Sequence, residues 1–207
     1  MGVRFSVGGG HFGQHLAVAW DVDAAGLDQL RADLAERGAE VRTDVVDVTD
    51  RAAIYQAASA VDDAMGGVDV LVLNAGIVDD ATVLEGDDAM VQRVMDVNVM
   101  ALFWCTKAFV PGMVERGHGH VVTIASITSL VPTPGMATYT VSKHAAYGFG
   151  ETLRTELHAE APGVRTQPLR PAIRSSATAS MRASTTGGTV SGVSSRVRVW
   201  TRRKVAT

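Results

Sequence analysis

VDVLVLNAG, residues 68–76, is an apolar run that ends abruptly at Asn74, Ala75 and Gly76. Such a run reads as a strand buried on both faces, with its carboxyl end opening into a polar turn. The flanking sequence alternates with it. Upstream, AGLDQLRADLAERG places Leu27, Leu30 and Leu34 on one helical face and ends at Gly38. EVRTDVVDVTD is a short strand, and Thr49 is read as the cap of a helix running from Asp50 to Met65. Downstream, a long helix is expected from about Asp87 to Val114, with Val91, Val94, Met95, Leu102, Cys105 and Phe109 on its apolar side. HVVTIAS is a second buried strand, and TYTVSKHAAYGFGETLRTELHAE a second long helix. GVRTQPLRP is a weaker strand whose Pro168 predicts an edge position or a damaged strand. Strands alternating with helices of this length predict crossover units and a mostly parallel sheet.

Ligands of such sheets bind beyond the carboxyl ends of the strands. Asp47, Asn74 to Gly76 and Ser126 all fall at those ends. In SITSLVPTPGMATYTVSK, residues 126–143, Tyr139 and Lys143 stand at i and i+4 and so share one face of a helix. A neighbouring ammonium favours the phenolate and is expected to lower the phenol's pKa from its usual value of about 10. Ser126 can face the same spot across the loop between them. Asn98 is in step with the apolar face of the long helix, so its amide points inward and needs partners. Taken singly, each has a plainer reading: an ordinary surface pair, a satisfied buried amide, a strand-to-turn junction.

In this order and spacing, Asp21, DVTD, NAG, VNVMALF, IAS, YTVSK and RPAIRS resemble the short-chain dehydrogenase/reductase family, from about Leu16 to Pro171. The resemblance implies an α/β fold, a Rossmann-like doubly wound parallel sheet, here incomplete at both ends. It implies a nicotinamide-dependent oxidoreductase moving hydride between cofactor and a secondary alcohol or ketone. Tyr139 would be the general acid/base, Lys143 would lower its pKa and bind the nicotinamide ribose, Ser126 would orient the substrate oxygen, and Asn98 would hold a relay water. Asp47 and Val48 would meet the adenine, while Asn74, Ala75 and Gly76 line the groove. Pro171 belongs to a loop closing over the nicotinamide. A carboxylate at Asp21 favours NAD over NADP, because it repels a 2′-phosphate. The family's two long helices usually form a homodimer or tetramer contact.

The ends depart from that pattern. GGGHFGQH offers Gly9 and Gly13 for a phosphate turn but puts His15 where a last glycine belongs. Only seven residues separate Gly13 from Asp21, and a parallel crossover needs about ten to twelve. The helix whose N-terminus would hold the phosphates has no room, so cofactor binding is expected to be impaired. Domain organisation follows: residues 1–171 as the dinucleotide-binding and catalytic domain, and 172–207 as a low-complexity basic tail expected to be poorly ordered. That tail contains 13 Ser/Thr and no acid. Both ends read as reading-frame or gene-boundary damage around an intact middle. The competing function is therefore an inactive family remnant that binds cofactor poorly.

Composition bounds the remaining classes. The chain has 207 residues, 46 % hydrophobic and 20 % charged, with a net charge of −3, as a soluble globular protein would. Residues 1–160 hold all 22 acids, whereas 161–207 hold eight Arg and Lys204. That basic end lacks aromatics beyond Trp200 and any nucleic-acid motif, so no nucleic-acid partner is expected. Cys105 is the single cysteine, which excludes an internal disulfide and fits a reducing compartment. No apolar run of membrane length and no signal peptide is read, so the cytoplasm is the expected location and a membrane is not an expected partner. His118, His120, His144 and His158 lack ligand spacing, and no metal is expected.

Overall fold

The computed structural model describes residues 15–171 and 196–203. The order of elements is β1 (His15–Asp21), α1 (Ala24–Ala35), β2 (Val41–Val45), α2 (Arg51–Met65), β3 (Val70–Leu73), α3 (Asp88–Met95), a π-helical turn (Asp96–Met100), α4 (Ala101–Arg116), β4 (Gly119–Ile124), a 3₁₀ turn (Ile127–Ser129), α5 (Ala137–Glu160), β5 (Val164–Leu169) and β6 (Arg196–Arg203). The sheet runs β2-β1-β6-β3-β4-β5. Pairs β1–β2, β3–β4 and β4–β5 are parallel. The alternation read from sequence has produced an α/β sheet, and β5, with Pro168, is an edge strand.

Side chains of β1 alternate between two apolar layers, as the pleat requires. Val18 and Trp20 join Ile54, Val61, Leu71, Val97, Phe109, Met113 and Leu153 in the main core. Ala19 packs with Leu27 and Val41 on the other side, with Leu30 and Leu34 behind them. α1 therefore covers one face of the sheet, and α2, α4 and α5 the other. Trp20 and Phe109 lie with ring centroids 5.4 Å apart at the centre of the larger layer.

Three expectations are corrected. The cap of α2 is Asp50, not Thr49: its carboxylate accepts from the N–H groups of Ala52 and Ala53 at 2.8 and 3.1 Å. Thr49 instead donates its hydroxyl to Asp47. The long helix from Asp88 to Arg116 does reach membrane-spanning length, at 29 residues, and half of its most apolar window is buried in the fold, as a core helix would be. Finally, residues 196–203 are a strand, inserted antiparallel between β1 and β3. The run Arg196-Val197-Arg198-Val199-Trp200 alternates with period two and is rich in β-branched residues, a signal outweighed in the sequence reading by the tail's Ser/Thr content. The rest of the expected tail, 172–195 and 204–207, lies outside the described residues.

Candidate active site

Asn98 sits in the π-helical turn between α3 and α4, and is 1 % exposed. There the N–H of Ala101 reaches back to the carbonyl of Asp96, a one-residue insertion of the sort that recurs at functional sites. Its amide is fully engaged. Oδ1 accepts from the N–H of Ile77 at 2.8 Å, and Nδ2 donates to the Ile77 carbonyl at 3.0 Å and to Ser142 Oγ at 2.9 Å. The Ser142 hydroxyl in turn donates to the carbonyl of Tyr139 at 2.7 Å. Asn98 thus ties the turn after β3 to the first turns of α5.

Ser126 follows β4 in extended backbone and is buried; its Oγ accepts from the N–H of Thr128 at 3.2 Å. Tyr139 and Lys143 come from successive turns of α5. Burial pushes the Tyr139 phenol above its ordinary pKa, and a hydrogen bond with the Ser126 side chain pulls the other way. Lys143 is 4 % exposed, and Nζ donates to the carbonyl of Ile124 at 3.1 Å. Burial lowers its pKa to about 8. The expectation that Lys143 depresses the phenol is corrected in this respect. Nζ lies 5.7 Å from the centroid of the Tyr139 ring, turned toward Ile124, and desolvation of the phenol is the larger influence. Ser126, Tyr139, Lys143 and Asn98 nonetheless converge. A Cβ on Gly76 would stand 3.2 Å from Lys143 Nζ and 3.5 Å from Asn98 Oδ1.

The remaining residues named from sequence line the same sheet edge. Asp21 ends β1, is 2 % exposed, and accepts from the N–H of Asp23 at 3.1 Å. Asp47 is exposed after β2, with its carboxylate accepting from the N–H of Thr49 at 2.9 Å. Val48 packs in the core, so it offers a ligand its backbone. Asn74, Ala75 and Gly76 follow β3 directly, and Ala75 is buried. Pro171 follows β5, is exposed, and its carbonyl accepts from the N–H of Ile127 at 3.3 Å, beside Ser126. Gly9 and Gly13 lie outside the described residues. β1 already begins at His15, so no helix separates it from Asp21.

Sequence reasoning missed Ser142 and the carbonyl groups of Ile77 and Ile124. Ser142 had a signal: with Tyr139 and Lys143 it completes an i, i+3, i+4 face. The two carbonyls had none, since any residue supplies one.

Asp21, Asp47 and Gly76 lie at or just beyond the carboxyl ends of β1, β2 and β3, with the Ser-Tyr-Lys-Asn cluster beside Gly76, at the end of the sheet where α/β folds take their ligands. The family model described as short chain dehydrogenase matches residues 10–186, and the chain belongs to that family. It is 43 % identical over 155 residues to estradiol 17-beta-dehydrogenase 11 of Pongo abelii, covering 74 % of this chain and 52 % of that protein. It is thus similar to about half the length of that relative. A short chain dehydrogenase/reductase from Burkholderia phymatum, in complex with NAD, superposes with a TM-score of 0.72 at 32 % identity, over 75 % of this chain and 56 % of that one. A metagenomic short-chain oxidoreductase in complex with NADP gives 0.70 at 28 % identity, over 74 % and 69 %.

Proposed function

We propose that the chain is a nicotinamide-dependent oxidoreductase acting on a secondary alcohol or ketone. The observation that carries this reading is the convergence of Ser126, Tyr139, Lys143 and Asn98 at the opening left by Gly76. That opening fits a cofactor ribose: a side chain at Gly76 would fill it, and Lys143 Nζ and Asn98 Oδ1 line it. Lys143 would hold the ribose hydroxyls there. Asp21 and the backbone of Val48 would receive the adenosine end, with the Asp21 carboxylate favouring NAD. When bound, the cofactor supplies or accepts the hydride.

The chain's own residues handle the proton and the orientation. Ser126 Oγ donates a hydrogen bond to the substrate oxygen and holds it against the Tyr139 phenol. Tyr139 gives its proton to that oxygen on reduction and takes it back on oxidation, general acid/base work worth about 10²–10⁴ in rate. The Ser126 hydroxyl, whose hydrogen bond pulls the phenol's pKa down, stabilises the phenolate formed. Copies of the chain are proposed to pair through α4 and α5, where Phe103 is 41 % exposed and stacks edge-on against Phe149.

A second reading rests on a different observation. Among the described residues, β1 runs unbroken from His15 to Asp21, so no helix N-terminus lies within that stretch to bind the phosphates, and on this reading the chain would be a remnant that binds dinucleotide poorly. Calorimetric titration with NADH and NADPH separates the two. Micromolar binding, with turnover abolished in Tyr139→Phe, supports the enzyme. Binding weaker than millimolar for both supports the remnant.

A further inference from the structure

The two loops that frame Ser126 and Tyr139 expose apolar side chains to solvent. Val83 and Leu84 are 83 % and 95 % exposed, and Leu130 and Val131 are 52 % and 59 % exposed. The first loop joins β3 to α3 and is pinned to the start of α5. The N–H of Ala137 donates to the Ala81 carbonyl at 3.1 Å, and the Thr138 hydroxyl to Asp79 at 3.4 Å. A tight turn then throws Val83 and Leu84 outward: the N–H groups of Glu85 and Gly86 both reach the carbonyl of Thr82, and the Thr82 hydroxyl donates to Glu85 at 2.8 Å. The second loop leads from the turn capped by Ser126 to α5, with the N–H of Val131 donating to the Ile127 carbonyl at 3.2 Å. Both apolar pairs are thus anchored within a few residues of the reacting groups.

Charge narrows what they could receive. The first loop and the start of α3 carry Asp79, Asp80, Glu85, Asp87 and Asp88, and no Lys, Arg or His between Ile77 and Gln92. The segment from Ser126 to Ser142 carries no charged residue at all. Lys143 is buried against Ile124. Among the described residues of these two loops, an anionic substrate would meet carboxylates and no exposed cation; Arg170, at the end of β5, stacks on the Tyr147 ring.

We infer that Val83, Leu84, Leu130 and Val131 form the substrate rim of the site, and that its substrate is a long, uncharged, apolar alcohol or ketone rather than a polyol or hydroxy acid. This rests on the oxidoreductase reading and narrows it. Burying one further methylene against such a rim raises affinity about three- to fourfold.

The test uses the full chain with 2-butanone, 2-hexanone, 2-octanone, 2-decanone and the anion 7-oxooctanoate. Affinity is read by saturation-transfer NMR, which needs no turnover, and kcat/KM with NADH is read separately. Affinity is expected to climb about threefold per methylene, and 7-oxooctanoate to bind at least tenfold worse than 2-octanone. In the double variant Leu84→Ser, Leu130→Ser, the 2-decanone to 2-butanone ratio is expected to fall at least tenfold. A chain-length slope present in the native protein and lost in the variant upholds the rim even if no ketone is turned over, in which case the oxidoreductase reading alone falls. Affinity independent of chain length, an unchanged slope in the variant, or tighter binding of the anion overturns the rim.

Discussion

Lys143 is where chemistry and stability pull against each other. Its folded pKa of about 8 lies below the ordinary 10.5 because burial disfavours the ammonium. Below pH 8 both folded and unfolded chains carry the proton, and the fold bears the whole cost of a buried charge. Between pH 8 and 10.5 the folded chain has released the proton while the unfolded chain keeps it, so stability rises with pH across that window. The shift corresponds to about 3 kcal/mol, offset in part by the hydrogen bond to Ile124. Lys143→Met is therefore expected to stabilise the fold at pH 7 by about 1–3 kcal/mol, to lose the rise above pH 8, and to be inactive; urea melts at pH 7 and 10 check this. Ser142→Ala should cost about 1–2 kcal/mol, since it leaves a buried Asn98 amide hydrogen without an acceptor; chemical melts would show it. Tyr139, Lys143, Ser126 and Asn98 were legible in the sequence because local geometry fixes them: a helix turn, a strand end, an in-phase buried amide. The Asn98–Ser142 bond spans 44 positions, and only the folded crossing of two helices brings its ends together.

Helix α2 shows how a boundary can be read correctly and its cause misplaced. Thr49 and Asp50 are adjacent and both suit an N-cap, and sequence could not rank them. The structure engages Thr49 with Asp47 and leaves Asp50 to satisfy the first free N–H groups of the helix. Asp50→Ala is expected to cost about 1 kcal/mol, or about 2–4 °C in Tm for a chain of this size, with calorimetry as the measurement. Thr49→Ala should lower Tm less. β5 was placed by its proline, which donates no ladder hydrogen bond and suits an edge. β6 was missed because the sequence reading weighed it within a stretch dominated by Ser and Thr. Its eight residues are strand-like by themselves, but nothing local shows where they insert.

At the scale of the whole sheet, β6 is the only described link between β2-β1 and β3-β4-β5. Val199 stands opposite Val18 on one side and Leu71 on the other. Proline there removes an N–H at the middle of the sheet and fixes φ. Val199→Pro is expected to abolish a single cooperative thermal transition and to shift Trp20 emission to the red, whereas Val199→Ile should melt like the native chain. The mostly parallel sheet was legible because each crossover is a local repeat. The closing strand was not, because its partners are distant in the chain.

That distance has a consequence for how the molecule comes into being. β1 is synthesised well before one of its two neighbours, β6, which follows every other described strand in the chain. Closing so long a loop has a high entropic cost before it is rewarded, and such pairings slow folding. A nascent chain therefore carries two open sheet edges, at β1 and β3, until residues 196–203 emerge. Open edges of this kind recruit strands from other chains, which makes synthesis the period of greatest exposure to aggregation. In pulse-labelled hydrogen exchange during refolding, amides of β3 and β4 are expected to gain protection before those of β6; simultaneous protection of all three would show that the sheet closes in one step.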